Sequence, residues 1–437
     1  MSAEAQPGAD QAPIALLRDR EFLALASVRF VSGMAFATII IALALYADLF
    51  EASGVAAGLF GAAYSVVRLF IVLPLGRKID VGNSKRYLLA GLALNVVMLA
   101  GFLLARSIEH VIVLRGLQGL GSAVLWITGM AVIGEIAPEA NRGRWMGTYS
   151  QVRSIASLTG DIVGGALLFL YGFGVTYGVL IALALVSTAM VLLFVRDDPG
   201  SHTDPDEATG VETFRRLLRR RAITALVAFR FAFSFGKNAV ILFLPIYART
   251  GFGMSALAIG AILAGGKLTK GLTQGYVGEV ADRTGRLEWY IFAGTISYAL
   301  GTALIPAAGV AVDVVDPVSL SALGRSVTVT AAGPALFLAY AILGVADSLR
   351  LPTSMTMFVQ EGEHFDAVAG SLSLRSVSWQ IGGIVGPLTV GYVLDQLSFL
   401  AGFWLAAALM VVAGVAFIVL FEAEPPPTIA TGPMDDD

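Results

Sequence analysis

The segment "SVRFVSGMAF" (residues 27–36) places an arginine, Arg29, inside a long apolar run. In the second half of the chain, "AFRFAFSFGK" (residues 228–237) places Arg230 in the same setting. With the two halves aligned on these arginines, Tyr46 matches Tyr247, and after a gap of one residue Gly58 matches Gly260, Arg68 matches Lys270 and Asp80 matches Asp282. Further along, where the second half is about twenty residues longer, Arg153 matches Arg375. The chain therefore contains two copies of one unit in the same order.

The composition indicates that these two units lie in a lipid bilayer. Of the 437 residues, 57% are hydrophobic and only 14% are charged, whereas soluble domains carry about 25% charged residues. Windows such as 175–195 and 399–421 run for about 20 residues with almost no charge, which is enough to cross the hydrocarbon core of a bilayer. The sequence predicts an integral membrane protein. The absence of cysteine excludes disulfides, thiolate metal sites and cysteine nucleophiles.

The apolar runs predict twelve transmembrane helices, split six and six by a polar stretch. The runs are 22–48, 55–76, 87–105, 108–134, 146–170, 174–195, 223–248, 255–278, 289–311, 334–358, 369–393 and 397–421. Two six-helix units in the same order indicate a parallel, pseudo-symmetric repeat about the membrane normal. We therefore predict an all-α membrane fold of two bundles, 22–195 and 223–421, with an N-terminal tail (1–21), a linker (196–222) and an acidic C-terminal tail (422–437).

Loop charges predict the orientation. With the N-terminus inside, about sixteen Lys and Arg residues fall in inner loops and tails and three in outer loops, as the positive-inside rule requires. Both termini are expected in the cytoplasm of a multi-pass protein of the cell membrane. The polar start of the chain favours no cleaved signal peptide. The outer loop 313–333 is unusually long, and two interpretations stay open: it caps the outer vestibule, or it has no role.

Two loops carry a family resemblance. "GEVADRTGR" (278–286) matches the loop signature between helices eight and nine of the major facilitator superfamily, and "GRKIDVGNSKR" (76–86) is its first-half counterpart. The counterpart keeps Gly76, Asp80 and Gly82 but has Ser84 where the superfamily favours arginine. The resemblance covers nearly the whole chain. It implies a secondary transporter that works by alternating access of its two halves.

The same loops suggest a cytoplasmic gate. Asp80 and Asp282 are predicted just before helices three and nine, where a carboxylate interacts favourably with the helix dipole. Arg283 and Arg286 can bridge to neighbouring helix ends. We predict that these four residues latch the cytoplasmic side in one state. The alternative is that they serve only topology and turn formation.

Helices four and five give a mixed signal. "RGLQGLGSA" (115–123) resembles the fourth-helix signature of the superfamily's proton-coupled drug exporters. In "ASLTGDIVGG" (156–165), however, Asp161 stands where those exporters have proline. The resemblance therefore leaves export of drugs or neutral solutes open as an alternative function.

Ten basic residues fall inside the predicted spans. They are Arg29, Arg68, Arg115, Arg153, Arg230, Lys237, Lys267, Lys270, Arg350 and Arg375. The clear acidic residues there are only Asp161 and Asp347. One Arg or Lys at the centre of a lipid-facing helix costs about 2.5–3.5 kcal/mol, so the set must face water or partners. Helices three, six, nine and twelve, which are outer supporting helices in the superfamily, carry none of them.

Six of these ten cations are predicted at a common depth in the membrane. Six of the cations lie about 10–12 Å from cytoplasmic helix ends at 1.5 Å per residue: Arg29, Arg68, Arg153, Arg230, Lys270 and Arg375. Arg230 and Lys237 share one helix face, as do Lys267 and Lys270, while Asp347 and Arg350 can pair at i, i+3. The alternatives for the belt are snorkelling to the headgroups and internal pairing, for which the acids are too few.

These cations predict an anion-selective transporter. Arg29 and Arg230 are expected to grip a small anion from opposite halves, assisted by Arg68, Lys270, Arg153, Arg375, Lys237 and Lys267. The pairs on helices one and seven resemble those of organophosphate–phosphate antiporters, and the pairs on helices two and eight resemble those of nitrate carriers. Aromatic neighbours such as Tyr64, Trp126, Tyr149 and Trp379 favour an organic anion.

Coupling to protons or to a counter-anion is predicted to involve Asp161, Asp347, Arg350 and Arg115. A purely structural role for the pair of Asp347 and Arg350 is an open alternative. No cofactor, metal or nucleic acid is expected, and the transporter is expected to be a monomer. The three histidines fall in loops or at a helix end and form no HExxH site, which disfavours an enzyme.

Overall fold

The computed structural model describes Leu16 and residues 18–80, 82–138, 141–197, 215–314, 318–322, 325–364 and 367–421. The first half contains α1 (Arg20–Leu49), α2 (Gly54–Asp80), α3 (Ser84–Leu103), α4 (Ile108–Ile136), α5 (Arg142–Thr159), a π-helical turn (Gly160–Gly164) and α6 (Gly165–Phe194). The second half contains α7 (Arg221–Phe252), α8 (Ala256–Thr284), α9 (Leu287–Leu304), α10 (Ala307–Val314), α11 (Ala332–Glu363), α12 (Val368–Gln396) and α13 (Phe399–Leu420).

The helices confirm an α-helical membrane fold. Within the described ranges, nine helical segments are long and apolar enough to cross a membrane, or ten if α9 and α10, which meet at 43°, form one bent span. One of the nine, Arg142–Phe194, has 53 residues, about 80 Å of helix against a hydrocarbon core of about 30 Å. Its backbone leaves the helical conformation at Gly172 (φ 71°, ψ −166°), so it has the length and the break for two crossings. The count of twelve stays a prediction.

The outer loop departs from the all-α expectation. Strand β1 (Val318–Ala322) pairs antiparallel with β2 (Arg325–Val329), with Leu320 opposite Val327. The three consecutive β-branched residues of β2, Val327, Thr328 and Val329, suit a strand. The sequence predicts only a long loop here, because two short strands carry little pattern of their own.

The two halves meet at the end predicted to face outside, through small residues, a carboxylate cap and an ion pair. A Cβ at Gly61 would lie 3.0 Å from the ring of Pro387 on α12, and Gly54 and Val55 donate backbone hydrogen bonds to Asp395 (2.5 and 2.9 Å). That carboxylate caps the N-terminus of α2, where a negative charge is favourable. On the same side the Asp48 carboxylate accepts from Nε of Arg249 at 2.8 Å.

The contact between the halves continues inward along α8. Gly260 packs on the carbonyl oxygen of Asp161 so closely that a Cβ would overlap it. Glycine permits this approach of two backbones. Further along α8, the halves diverge around a cavity.

Gly260→Ala is expected to loosen the outer contact. Overpacking costs about 1–3 kcal/mol, and each 1.4 kcal/mol shifts an equilibrium about tenfold, so states open to the outside become more populated. Because the chain has no cysteine, Ala57→Cys supplies one thiol at a buried position of α2, next to Gly58, which packs on the backbone of Pro387 in the other half. Its labelling by a membrane-impermeant maleimide should become about tenfold faster.

The matched control is Gly271→Ala on the same helix, where a Cβ meets nothing within 4 Å. A second thiol, Ala299→Cys, lies buried inside the second half and reports general unfolding. Equal labelling rates at Ala57→Cys in the Gly260→Ala and Gly271→Ala backgrounds would contradict the prediction.

Candidate functional site

A cavity of about 500 Å³ lies between the halves, walled by α5 on one side and by α7, α8, α9 and α11 on the other. This volume falls within the range of about 300–1,000 Å³ typical of small-molecule sites. Its charged lining consists of Arg153, Lys237, Lys267, Lys270 and Asp347. Tyr298 and Tyr340 add aromatic walls. We call it the central cavity.

One carboxylate anchors three cations at its wall. Asp347 pairs through Oδ2 with Lys237, and Lys270 Nζ lies 3.4 Å from the same oxygen. Its Oδ1 accepts a hydrogen bond of 2.9 Å from Arg350, which confirms the i, i+3 pair. The Arg350 side chain is fully buried, with its guanidinium 3.7 Å from the ring centroid of Phe233. All four charged groups belong to the second half, and their net charge is positive.

A second ion pair crosses between the halves. Lys267 Nζ on α8 lies 2.6 Å from Oδ2 of Asp161, which sits fully buried in the π-helical turn. The Asp161 oxygens have no further hydrogen-bond partner among the described residues, and Lys267 also donates to the carbonyl of Ser157 at 3.3 Å. Single π-turns inside α-helices are frequent at functional sites. Asp161 therefore depends on one cation of the other half.

The arginines of α1 and α5 meet at a smaller cavity of about 80 Å³ inside the first half. Arg29 lines it, with its guanidinium 5.2 Å from the ring of Tyr149. Arg153 and Ser157 line both this cavity and the central cavity. We call it the inner cavity.

Two further arginines of the first half are held by aromatic and polar neighbours. Arg68 donates to the hydroxyls of Tyr64 (3.3 Å) and Ser122 (3.0 Å) and, with Trp126, lines a third cavity that α12 closes. Arg115 donates from Nε to the carbonyl of Phe60 at 2.9 Å, pairs with Gln118 and lies 4.7 Å from the Tyr64 ring centroid. Arg115 is thus bonded within its own half.

The arginines of the second half lie apart from the central cavity. Arg230 stacks on Trp379, with 4.2 Å from the guanidinium carbon to the ring centroid, and its Nε and Nη1 have no partner in the described chain. Arg375 is likewise left with an unpartnered Nε. Of the described residues, those that line the central cavity include neither Arg29 nor Arg230. The clamp of these two arginines stays a prediction.

The gate residues are placed differently from the expectation. Asp80 ends α2 and Asp282 lies in the last turn of α8, so neither directly precedes the next helix, and both side chains lie outside the described part of the structure. Asn83 caps α3 and accepts from the amide of Arg86 at 3.1 Å. The extra helical turns displace the aspartates from the capping position.

Their basic neighbours are exposed. Arg283 pairs with Glu279 one turn earlier on α8, at 2.5 Å, and Arg286 stands at the N-cap of α9. The ion pair of Arg283 lies within α8, and Arg286 stands at the start of α9, so neither observation shows a bridge between two helices. The latch stays a prediction.

Sequence reasoning missed Asn95. It lies on α3 at the inner cavity, it is only 6% exposed, and its Nδ2 has no partner among the described residues. A lone amide in the run "LAGLALNVVMLAGF" (89–102) was the available signal. Because the superfamily resemblance implies that helix three is a supporting helix, the sequence predicts no role for Asn95.

The fold and the charged cavity between two halves define a membrane transporter. The sequence profile of the Major Facilitator Superfamily matches residues 25–332 and 317–436. The chain therefore belongs to this superfamily and is a secondary transporter.

Relatives agree with this assignment. The chain is 26% identical over 360 residues to the multidrug resistance protein MdtG of Proteus mirabilis, a match that covers 80% of this chain and 82% of MdtG. It is 21% identical over 377 residues to the MFS-type transporter MJ1560 of Methanocaldococcus jannaschii, covering 85% and 91%. Its fold resembles a bacterial homolog of the human lysosomal transporter Spinster in an inward-facing, occupied conformation (TM-score 0.72, 15% identity, 94% and 97% covered).

Proposed function

We propose that this transporter carries a small organic anion through the central cavity. The observation that carries the proposal is the charge of the described lining residues: four cations, Arg153, Lys237, Lys267 and Lys270, stand against one carboxylate, Asp347. Even with Asp161 counted as the partner of Lys267, two positive charges lack a counter-charge. An anion supplies it.

The lysines remain available to a ligand. The side chains of Lys267 and Lys270 are 31% and 27% exposed, so each keeps ammonium protons free of its carboxylate. A ligand carboxylate at about 4 Å from one ammonium gains about 4 kcal/mol at an effective dielectric of 20. Tyr298 and Tyr340 provide apolar faces for the organic part of the ligand.

Alternating access assigns different roles to the two ion pairs. Asp347 and its three partners, which are Lys237, Lys270 and Arg350, all lie in the second half and move with it as a unit. The pair of Asp161 and Lys267 joins the two halves and must separate if they rock apart. Protonation of Asp161 or an incoming anion at Lys267 would release it, which supports coupling to a proton or a counter-anion at this pair.

Lys270→Gln tests the proposal. Purified protein is screened for thermal stabilisation by small carboxylates, phosphates and sulfonates, by organic cations and by neutral solutes. We expect anions to stabilise the parent, and the apparent Kd of the best anion to rise about tenfold or more in Lys270→Gln, because a charge-assisted bond of about 1.5–3 kcal/mol is lost.

Arg142→Gln removes the same charge at the exposed start of α5 and should leave the Kd unchanged. Uptake of the best anion into proteoliposomes should follow the same order. Equal loss in both variants, or stabilisation by cations and neutral solutes alone, would contradict the anion proposal.

The second candidate is a proton-coupled exporter of drugs or neutral solutes. The similarity to MdtG and the pairing of Arg115 with Gln118 in the fourth-helix motif favour it. On this alternative the central cations are structural. Stabilisation by cationic or neutral drugs that Lys270→Gln leaves intact would decide for the exporter.

We also propose that both termini face the cytoplasm and that the protein is a monomer in the cell membrane. The excess of Lys and Arg in the inner loops supports the orientation. A thiol placed at Ala105→Cys, between α3 and α4, should react with an impermeant reagent in intact cells. A thiol at Arg142→Cys should react only after lysis.

A further inference from the structure

We propose that the inner cavity is a separate binding site for a small inorganic anion of halide size. It is enclosed by α1, α3, α4 and α5 of the first half alone. The proposal goes beyond the transported substrate, because this site shares only Arg153 and Ser157 with the lining of the central cavity.

Two buried donors without partners mark the site. Arg29 is 8% exposed and Asn95 is 6% exposed, both line the cavity, and Arg29 Nε and Asn95 Nδ2 have no hydrogen-bond partner among the described residues. Buried polar groups are normally hydrogen-bonded. Two orphaned donors in one cavity therefore indicate an acceptor that occupies it.

The charge of the lining selects an anion over water alone. Arg29 and Arg153 both reach the cavity, and none of the described residues that line it is an aspartate or a glutamate. Gln118 and Ser122 add further polar groups to the lining. Two other arginines of the same half, Arg68 and Arg115, already donate hydrogen bonds to neutral acceptors. A bound anion would neutralise charge that no described carboxylate of this half compensates.

The size of the cavity sets the ligand class. A volume of about 80 Å³ holds a halide with one or two waters, since water occupies about 30 Å³ in the liquid. Apart from Ser32 and Ser157, the rest of the described wall is apolar or glycine, including Leu94, Met98 and Gly121. An organic anion large enough to fill the central cavity, of about 500 Å³, is too large for this one.

The experiment measures thermal unfolding of the full chain in detergent, with sodium chloride, bromide or nitrate titrated against sodium gluconate at constant ionic strength. Gluconate is too large for the inner cavity and serves as the inert anion. We expect stabilisation that grows with halide concentration as mass action requires. In Asn95→Leu, which is close in shape but lacks the donor, the halide Kd should rise about tenfold.

Gly121→Ala gives a test that removes no charge and no donor. Its Cβ would lie 3.5 Å from Leu94, an ordinary contact, so the protein should fold while the cavity shrinks. The halide Kd should again rise. Bromide-soaked crystals should show an anomalous peak between Arg29 and Asn95.

Lys270→Gln separates this proposal from the proposed function. It should weaken organic anions and leave the halide Kd unchanged. A halide effect equal to that of gluconate, or one that survives in Asn95→Leu and Gly121→Ala but disappears in Lys270→Gln, would overturn the inner site. In the latter case the halide binds in the central cavity.

Discussion

Lys267→Met is expected to lower the free energy of unfolding by about 3–5 kcal/mol, the usual cost of removing one partner of a buried ion pair. Asp161 is fully buried, and Lys267 is its single ionic partner in the described chain. The substitution leaves a carboxylate that must stay charged without a partner or take up a proton. Chemical denaturation in detergent measures the change.

Lys270→Met is the matched control on the same helix. Its loss leaves Asp347 with Lys237 and Arg350, so it should cost no more than about 1 kcal/mol, because the carboxylate keeps two cationic partners. Adding Asp161→Asn to Lys267→Met should restore most of the stability. If the two lysine variants cost the same, Asp161 does not depend on Lys267.

Asp347→Asn is expected to cost at least as much, about 3–5 kcal/mol or more. The substitution leaves three cations, Lys237, Lys270 and Arg350, facing one another without the carboxylate that they share. Arg350 is fully buried, so its guanidinium cannot turn to water. Unfolding in denaturant gives the size of the effect.

Asp395→Asn provides the same chemical change at the exposed N-terminus of α2, where the carboxylate accepts two backbone amides. Loss of such a cap typically costs about 0.5–2 kcal/mol. Combining Asp347→Asn with Lys237→Met should recover stability by removing one uncompensated cation. An Asp347→Asn protein as stable as Asp395→Asn would show that the three cations do not need this acid.

The two predictions concern different levels of organisation. Asp347 ties α7, α8 and α11 together inside one half, so its loss should harm the half itself. Asp161 and Lys267 connect the halves, so their loss should also change how often the halves part. The labelling assay at Ala57→Cys can be applied to both variants, and only Lys267→Met should raise the rate directly.

Several features of the site could be predicted from the sequence. A charge in lipid is so costly that the ten cations stand out from composition and span positions alone. The spacing of Asp347 and Arg350 fixes their contact on one helix face, because residues at i and i+3 are neighbours. The sequence repeat also identified Arg153 and Lys270 as members of one level, and both line the central cavity.

Other features could not be read from the sequence. The pair of Asp161 and Lys267 joins positions that the repeat does not equate, since Asp161 aligns with Gly383 and Lys267 lies on α8. The inner cavity depends on Asn95, which belongs to a helix that the superfamily resemblance implied to be a supporting one. The turn in which Asp161 lies is π-helical, and this shifts the side-chain direction that regular helix spacing would give.

The sequence by itself determined the membrane class, the two-fold repeat, the depth of the cations and their excess over acids, because helix rise and the cost of charge in lipid act on each segment separately. Only the tertiary structure decided which cation meets which acid, and that Arg29 lines the inner cavity while Lys237, Lys267 and Lys270 line the central one. Those outcomes depend on how each helix is rotated about its axis and how closely the halves approach, which packing between distant segments sets.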